Sequence, residues 1–441
     1  MAWWRSCCLG VAVLFVLGFN RGCPLPVQAK ESWGYVDVRE GAHMFWWLYT
    51  ANNSSFENLP LIMWLQGGPG GSSCGFGNFE EIGPLDTDLK PRETSWVRAA
   101  SVLFVDNPVG TGYSYTDSPD ALTKDVAMVA ADMMVLLRQF FSEKSEFQGI
   151  PFYIFSESYG GKMAAAISAE LIKAIQKGSI KCNFAGVALG DSWISPLDSV
   201  LTWGPYLYST SLLDDYGLKE VMQAAKTVQQ LVEKGQYENA TKWWANTESV
   251  VEQNTNGVNF YNILTQEDSD LVKSTVGEHG YMSSLKRRHI RPLHRHSLAQ
   301  LMNGPIRKKL GIIPKSVTWG GQAEAVFVNM AGDFMKPVID IVDQLLAAGV
   351  NVTIYNGQLD LIVDTMGQEM WVKKLKWDGL QAFNQMKWTA LEDPAAAKQT
   401  GAFFKIYKNF AFYWILKAGH MIPSDQAQMA LRMMKMVTLQ A

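Results

Sequence analysis

The stretch YIFSESYGGK places Ser158 between an apolar run and a run of small residues. The apolar run PFYIF predicts a buried strand, and the following KMAAAISAELIKAIQ predicts a helix. A serine at such a strand-to-helix turn holds its hydroxyl above the edge of a sheet, where the N–H groups of the first helical turn also point. The pattern therefore indicates a nucleophile elbow, although Ser156 stands where G-x-S-x-G has glycine. Taken alone, the stretch is also compatible with an ordinary turn.

A serine hydroxyl needs a base to remove its proton before it becomes an effective nucleophile. His420, in LKAGHMIPSDQ, follows a predicted core strand, and a turn at Gly419 could present it at the sheet edge. His420 is therefore the candidate base, with a purely structural histidine as the alternative. The other histidines are His43 in the first predicted strand and four in a predicted insertion, namely His279, His289, His294 and His296.

An imidazole base is oriented by a carboxylate in the known serine hydrolases. The stretch NVTIYNGQLDLIVD offers Asp360 and Asp364 just beyond a predicted strand. The chain order serine, aspartate, histidine is that of the α/β-hydrolase fold. Three partners in this order, each just beyond a strand, support a serine hydrolase better than any one of them does alone.

A glycine-rich loop, WLQGGPGGSS, follows another predicted strand. With few side chains in the way, its backbone N–H groups can point at a developing oxyanion. A phosphate-binding loop is the alternative, but no GK[ST] follows the glycines.

These candidate residues require a scaffold, and β-rich runs that alternate with helical patterns predict one. The alternation favours a mostly parallel central sheet with helices on both faces. The predicted strands are 43–50, 59–65, 101–106, 151–155, 184–189, 351–355 and 410–416, and the predicted helices are 125–141, 162–177 and 337–348.

Between residues 201 and 324 the pattern becomes helical, with apolar residues at helical spacing over 218–232 and a second helical stretch near 240–251. We therefore expect residues 30–200 and 325–441 to form the α/β core and residues 201–324 to form a helical insertion over the active site. The basic segment KRRHIRPLHRH, residues 286–296, is predicted to be an exposed loop that proteases could trim. A metal or anion site is the alternative for that segment.

Length and composition agree with a large globular enzyme. The chain has 441 residues, of which 48% are hydrophobic and 18% charged, so it can bury a sizeable core. This length suits one large α/β domain with an insertion, or two to three ordinary domains. The formal net charge of −3 gives no broad attraction to nucleic acid or to acidic membranes.

The N-terminus has the pattern of a secretory signal peptide. Arg5 precedes an apolar run over 9–19, and Val27-Gln28-Ala29 is a small-x-small cleavage site. Residues 1–29 are therefore predicted to be removed. A membrane anchor is the alternative, although the run is shorter than the ~20 residues that span a bilayer.

Removal of the signal peptide would leave two cysteines, Cys74 and Cys182, which could pair or could both be free. No metal-ligand spacing is present, and no cofactor or metal is expected. Four glycosylation triplets support a glycoprotein of the secretory route, which would be secreted or lysosomal. They begin at Asn52, Asn53, Asn239 and Asn351.

Together, the motifs resemble those of the serine carboxypeptidases. They are WLQGGPGGSS, FVDNPVGTGYSY, YIFSESYGGK, ALGDSWISP, LMNGPIRKKLGI, YNGQLDLIVDTMG and KAGHMIPSDQ. They occur in family order and cover essentially the whole predicted mature chain. The resemblance implies Ser158 as the nucleophile, His420 as the general base and acid, and Asp360 as its partner. It further implies an oxyanion hole formed by the backbone N–H groups of Gly68 and Tyr159.

The resemblance also implies how a peptide terminus is recognised. Glu157 would bind the terminal carboxylate of the substrate, helped by Glu81 and by Gln66. Two close carboxyl groups cannot both ionise cheaply, so one would keep a proton and donate a hydrogen bond. That arrangement implies an acidic working pH.

The chain departs from the family pattern at four positions. Gln66 replaces the usual Asn, which lengthens the side chain by one methylene, and Ser156 replaces Gly, which is expected to crowd the elbow. Gln358 stands where an acid is common, and Gly71 stands where many members have Cys. These departures concern substrate preference and turnover more than reaction class.

The sequence therefore predicts a serine carboxypeptidase that removes C-terminal residues of peptides or proteins through an acyl-enzyme. An inactive homologue that only binds peptides or proteins is one alternative, and an acyltransferase or esterase with the same triad is another. Residue preference, oligomeric state and maturation near residues 286–296 are left open.

Overall fold

The computed structural model describes residues 30–51, 56–265 and 285–440. In these residues eleven strands form one sheet. The strands are β1 (Glu31–Arg39), β2 (Ala42–Tyr49), β3 (Leu61–Leu65), β4 (Ser101–Val105), β5 (Tyr115–Thr116), β6 (Pro151–Glu157), β7 (Asn183–Gly190), β8 (Asn351–Gly357), β9 (Thr389–Glu392), β10 (Thr400–Tyr407) and β11 (Phe410–Ile415).

Thirteen α-helices occur in the same described ranges. They are α1 (Val126–Glu143), α2 (Tyr159–Gln176), α3 (Pro196–Ser209), α4 (Asp215–Glu233), α5 (Tyr237–Thr255), α6 (His296–Leu301), α7 (Arg307–Leu310), α8 (Ala323–Phe334), α9 (Ile339–Ala347), α10 (Thr365–Val372), α11 (Leu380–Gln385), α12 (Ile422–Asp425) and α13 (Ala427–Val437). A π-helical segment, Ser73–Ile82, follows the glycine-rich loop.

The strand order is β1-β2-β4-β3-β6-β7-β8-β11-β10-β9, with β5 on β2. The six strands from β4 to β11 along this order pair in parallel, and antiparallel strands flank them at both edges. The predicted mostly parallel sheet is therefore confirmed. Because parallel strands end at the same edge, the loops after β3, β6, β7, β8 and β11 meet there.

Both faces of the sheet are covered, as predicted. Along β6, Phe152 and Ile154 pack into the cluster under α1 and α2, while Tyr153 and Phe155 point into the opposite cluster with α13. This alternation explains why the central strands read as continuous apolar runs, since a strand buried on both faces has no polar side.

The strand prediction missed the sheet edges. β1 and β10 are half-buried at most of their positions, so their sequences lack the apolar runs that marked the core. The helix α2 begins at Tyr159, three residues before the predicted start, because Ser158 itself is the cap residue.

The connection from β7 to β8 contains helices α3 to α9 and no strand within its described residues. This agrees with the predicted helical texture. The boundaries 201–324 for an insertion remain a prediction.

The prediction of an exposed loop at 286–296 is wrong. Arg288 is 1% exposed, and its guanidinium contacts Glu252 at 2.5 Å and Glu248 at 3.2 Å, both on α5. His289 and Leu293 are also buried, whereas Arg295 is exposed. The buried ion pair of Arg288 could not be predicted from this basic segment, because the partner carboxylates lie more than thirty residues earlier in the chain.

Cys74 and Cys182 are both free, which answers the question that the sequence left open. Asn239 and Asn351 are exposed at the surface. The predicted signal peptide and the triplets at Asn52 and Asn53 lie outside the described residues. Within the described ranges, no helix combines the length and apolar character needed to cross a bilayer.

Candidate active site

Ser158 lies at the turn between β6 and α2 in a strained backbone conformation, with φ +61° and ψ −130°. Its N–H donates to Gly190 O at 3.0 Å, and its carbonyl accepts from Trp193 N at 3.0 Å. A non-glycine residue with such a φ persists only where its surroundings enforce it, which is typical of a nucleophile elbow.

Glycines surround the turn because the backbones approach closely. A Cβ on Gly67 would lie 2.5 Å from Ser158 Cβ, and a Cβ on Gly160 would lie 2.3 Å from Leu65 O. Ser156, which was expected to crowd the elbow, instead donates from Oγ to Ala188 O at 3.1 Å. The serine at that position is thus accommodated by the neighbouring strand.

His420 and Asp360 form a buried pair. His420 Nδ1 lies 2.7 Å from Asp360 Oδ2, and the two side chains are 2% and 0% exposed. The backbone N–H of His420 donates to Tyr261 O at 2.7 Å, which fixes the histidine from the other side. Asp364 is directed elsewhere, since its carboxylate accepts from Gly367 N at the start of α10.

Ser158 and His420 line one small cavity at the carboxyl edge of the sheet. Predicted site residues that line it are Gln66, Gly68, Glu157, Ser158 and His420. Gly67, from the predicted glycine-rich loop, also lines it, and the residues that sequence reasoning missed in its wall are Trp193, Tyr261, His289, Leu293, Phe334 and Ile362. Asp360, Tyr159 and Glu81 stand behind this lining.

Gln66 joins the two buried glutamates. Its Nε2 lies 2.6 Å from Glu157 Oε1 and 3.0 Å from Glu81 Oε1, and its Oε1 accepts from Trp64 Nε1 at 2.8 Å. The longer Gln side chain is therefore fully engaged in holding the glutamates. Since both amide hydrogens of Gln66 are used, the side chain of this trio that is left to meet a ligand in the cavity is Glu157.

Burial of the two glutamates side by side disfavours a negative charge on both. Burial raises the pKa of Glu81 to about 7, despite its hydrogen bonds to Glu157 and Gln66. Burial, followed by the nearby Glu81, raises the pKa of Glu157 well above its usual value. Glu81 Oε2 is buried without a hydrogen-bond partner among the described residues, as expected if the missing partner is a proton shared between the carboxyl groups.

Two backbone N–H groups near the elbow have no hydrogen-bond partner among the described residues. Gly68, in the loop after β3, donates no hydrogen bond among the described residues. Tyr159 is the first residue of α2, so its N–H has no acceptor within the helix.

A buried ion pair ties the elbow helix to the helical connection. Lys162 Nζ lies 2.9 Å from Asp333 Oδ2 on α8, and the same carboxylate oxygen accepts from Tyr159 Oη at 2.6 Å. Burial lowers the pKa of Lys162 to about 8, against the attraction of Asp333. The next residue, Phe334, stacks on the Tyr159 ring at 5.8 Å and reaches the cavity.

His289 enters the cavity wall from the misassigned basic segment. Its Nδ1 lies 2.8 Å from Tyr261 Oη and its Nε2 lies 2.8 Å from Glu248 Oε1. The Tyr261 ring in turn meets His420 edge-on, with ring centroids 5.1 Å apart. No sequence signal could place His289 here, because it follows no core strand.

One cluster of described residues has the composition of a metal site. Asp191, Asp360 and His420 each place one ligand-type atom within 4.8 Å of the others. His420 Nδ1 is already paired with Asp360 Oδ2, however, and that pairing orients an imidazole whose other nitrogen can exchange a proton.

The sheet, the strained serine and the buried histidine–aspartate pair define a serine hydrolase with the α/β-hydrolase fold. The fold matches that of the prohormone-processing carboxypeptidase Kex1 from Saccharomyces cerevisiae, with a TM-score of 0.79 at 21% identity over 95% of this chain and 92% of that one.

The family model described as serine carboxypeptidase matches residues 22–440, so the chain belongs to the serine carboxypeptidase family. It is 65% identical to the human retinoid-inducible serine carboxypeptidase, over 96% of each chain. It is 44% identical to serine carboxypeptidase-like 51 of Arabidopsis thaliana, over 93% of this chain and 92% of the plant protein. The predicted class, a hydrolase with serine carboxypeptidase activity, is confirmed, and the non-catalytic and acyl-transfer alternatives are not favoured.

Proposed function

We propose that Ser158, His420 and Asp360 carry out the reaction as a catalytic triad. The observation that carries the proposal is the 2.7 Å contact between His420 Nδ1 and Asp360 Oδ2, directly behind a cavity that Ser158 and His420 share. The contact makes Nδ1 the hydrogen-bond donor to the carboxylate and leaves Nε2 to receive a proton.

In the first step, Ser158 Oγ attacks the carbonyl carbon of the last peptide bond while its proton passes to His420 Nε2. The imidazolium then protonates the leaving amine, and the C–N bond breaks to give an acyl-enzyme. Water, deprotonated by His420, hydrolyses the ester and restores the serine. In this proposal the N–H groups of Gly68 and Tyr159 stabilise the oxyanion of each tetrahedral intermediate.

The substrate is the free C-terminus of a peptide or protein. Glu157, held by Gln66 beside Glu81, lines the cavity and directly precedes the nucleophile in the chain. When it carries a proton, it donates a hydrogen bond to the terminal carboxylate of the substrate. Because burial raises the pKa of both glutamates, this form is populated at acidic and weakly acidic pH and is lost as the pair deprotonates.

This pH dependence suits a secreted or lysosomal glycoprotein. The signal-like N-terminus supports that location, as do the exposed side chains of Asn239 and Asn351. No nucleic-acid partner is proposed for a chain with a net charge of −3.

The nucleophile is tested with a fluorophosphonate probe, which labels an activated serine. We expect stoichiometric labelling of the wild-type protein and none of Ser158→Ala. Ser192→Ala is a suitable control, because Ser192 is a neighbouring buried serine whose Oγ bonds Gly190 O. Undiminished labelling of Ser158→Ala would refute the assignment.

Recognition of the terminus is tested with a peptide and its C-terminal amide. At acidic pH we expect the free acid to be cleaved preferentially. In Glu157→Ala we expect KM for the free acid to rise about 10- to 100-fold, since a hydrogen bond to a charged group contributes about 1.5–3 kcal/mol. KM for the amide should change little, and equal cleavage of acid and amide by the wild-type protein would contradict exopeptidase recognition through Glu157.

A further inference from the structure

Asp191 is a buried acid behind the active site, in the motif ALGDSWISP, and it was given no role from the sequence. It directly follows β7 and is 1% exposed. Its N–H donates to Tyr355 O at 2.8 Å, and its Oδ1 accepts from Gly357 N at 2.8 Å. Its φ of +40° is unusual for a residue with a side chain. The turn therefore holds the carboxyl group in a defined place between β7 and β8.

The other oxygen of this carboxyl group, Oδ2, is buried without a hydrogen-bond partner among the described residues. An orphaned buried oxygen is costly, and it is more costly when it carries charge. The nearest chemistry is that of Asp360 and His420, whose ligand-type atoms lie within 4.8 Å. A proton on Asp191 Oδ2 would satisfy this oxygen and would point at a second carboxylate.

The charges around Asp191 favour the same state. Three carboxyl groups, those of Asp360, Glu157 and Glu81, repel a negative charge on Asp191. Burial, followed by Asp360, raises the pKa of Asp191 well above its usual value. Within the described ranges Asp191 forms no ion pair with a lysine or arginine, and His420 is committed to Asp360. The nearby Tyr355 hydroxyl donates to Ser156 O instead. A second negative charge here would have no counter-ion.

We infer that Asp191 is a positioning residue that stays protonated and donates a hydrogen bond to Asp360. The inference rests on the proposed triad. A hydrogen bond to the ionised form of Asp360 favours that form, so the carboxylate behind His420 remains charged in the acidic range where Glu157 must hold its proton. Glu157 and Asp191 would then each carry a proton, and Asp360 would carry the negative charge.

The test is the pH profile of kcat/KM, together with the rate of fluorophosphonate labelling, for Asp191→Asn and Asp191→Ala. Asn retains both an N–H donor for Asp360 and an oxygen for Gly357 N, so we expect the acid limb of the profile to keep its wild-type midpoint. Ala removes the hydrogen-bond donor to Asp360. The negative charge of the Asp360 carboxylate is then less compensated than in the wild-type protein, so it stabilises the imidazolium of His420 more strongly. We expect the midpoint to rise and kcat/KM to fall about 10- to 100-fold.

An ionised Asp191 would behave differently. Asp191→Asn would then delete a negative charge beside His420, and the acid limb would move to lower pH; this result would overturn the inference. Indistinguishable Asn and Ala variants would overturn it as well. Asp364→Asn is the matched control, because Asp364 is another buried aspartate whose pKa burial raises to about 8 but which contacts Thr202 and Gly367. We expect this variant to affect thermal stability without moving the acid limb.

The same three side chains could instead bind a cation, and this outcome is tested with the wild-type protein. We expect kcat/KM to be unaffected by EDTA or by added Zn²⁺. Loss of activity in EDTA that Zn²⁺ restores would overturn the proton-sharing assignment. Failure of the proposed function is separately visible, since it would appear as labelling of Ser158→Ala.

Discussion

The two walls of the cavity are built in different ways. Gln66, Ser158 and His420 stand on short loops that follow β3, β6 and β11, and Glu157 is the last residue of β6. The topology of a parallel sheet brings them together. The opposite wall comes from the connection between β7 and β8. There Phe334 depends on the pair Lys162–Asp333 and His289 on the carboxylates of α5.

This difference suggests that the wall at the sheet edge carries out the reaction and that the helical wall sets substrate preference. Positions at the strand ends tolerate little change, because reacting groups must be held within about 0.5 Å of the productive geometry. Positions fixed by side-chain packing can vary while the fold persists. We therefore expect changes in the helical wall to alter stability and substrate preference, and changes at the sheet edge to alter turnover and pH dependence.

The largest effect on stability is expected from Arg288→Ala. Removal of one partner leaves Glu248 and Glu252 buried without a counter-charge, which costs about 3–5 kcal/mol of unfolding free energy. The matched control is Arg295→Ala, an exposed arginine of the same segment, for which we expect a change within about 0.5 kcal/mol. Denaturant unfolding measures both. If the helical wall does not affect the triad, Arg288→Ala that remains folded still reacts with the fluorophosphonate. A folded but unreactive variant would show that the two walls of the cavity are not independent.

A smaller effect, on selectivity, is expected from Phe334→Ala. Its ring lines the cavity, so we expect the preference for peptides with large apolar residues at the scissile bond over small ones to fall about tenfold in kcat/KM. Phe327→Ala removes an equally buried ring on the same helix that packs on Phe334 but does not line the cavity. Both variants lose stability, but only Phe334→Ala should change the preference. The same change in both would show that helix packing, and not the cavity wall, is responsible.

The smallest effect concerns stability against pH at the sheet edge. The pKa of Glu81 is about 7 in the folded protein and about 4.3 when unfolded, so the folded state holds the proton longer. The contribution of Glu81 to the free energy of unfolding is fully present below its pKa in the unfolded chain. It is lost as the pH rises toward its pKa of about 7 in the folded protein. We expect the Tm to fall between pH 5 and pH 7.5 and Glu81→Gln to flatten this fall. Glu80→Gln, at the half-buried neighbour, should leave the slope unchanged; an unchanged slope in Glu81→Gln would count against the shared proton.

The core of the sheet could be predicted because β3, β4, β6, β7, β8 and β11 are apolar on both faces. The edge strands β1 and β10 could not, because their half-exposed faces lack that signal. Ser158 and His420 were candidates because each follows a core strand at a glycine-rich turn, which is a local pattern.

The sequence by itself therefore determined the reaction class and the order of its parts: a serine at an elbow, an acid after one strand and a histidine after another. Only the tertiary structure decided which acid faces His420, that Gln66 binds both Glu157 and Glu81, and that Asp191 lies behind Asp360. It also placed Arg288 and His289 inside the molecule. These outcomes depend on contacts between residues far apart in the chain, and the burial of a charged side chain depends on a partner that its own neighbours in sequence do not reveal.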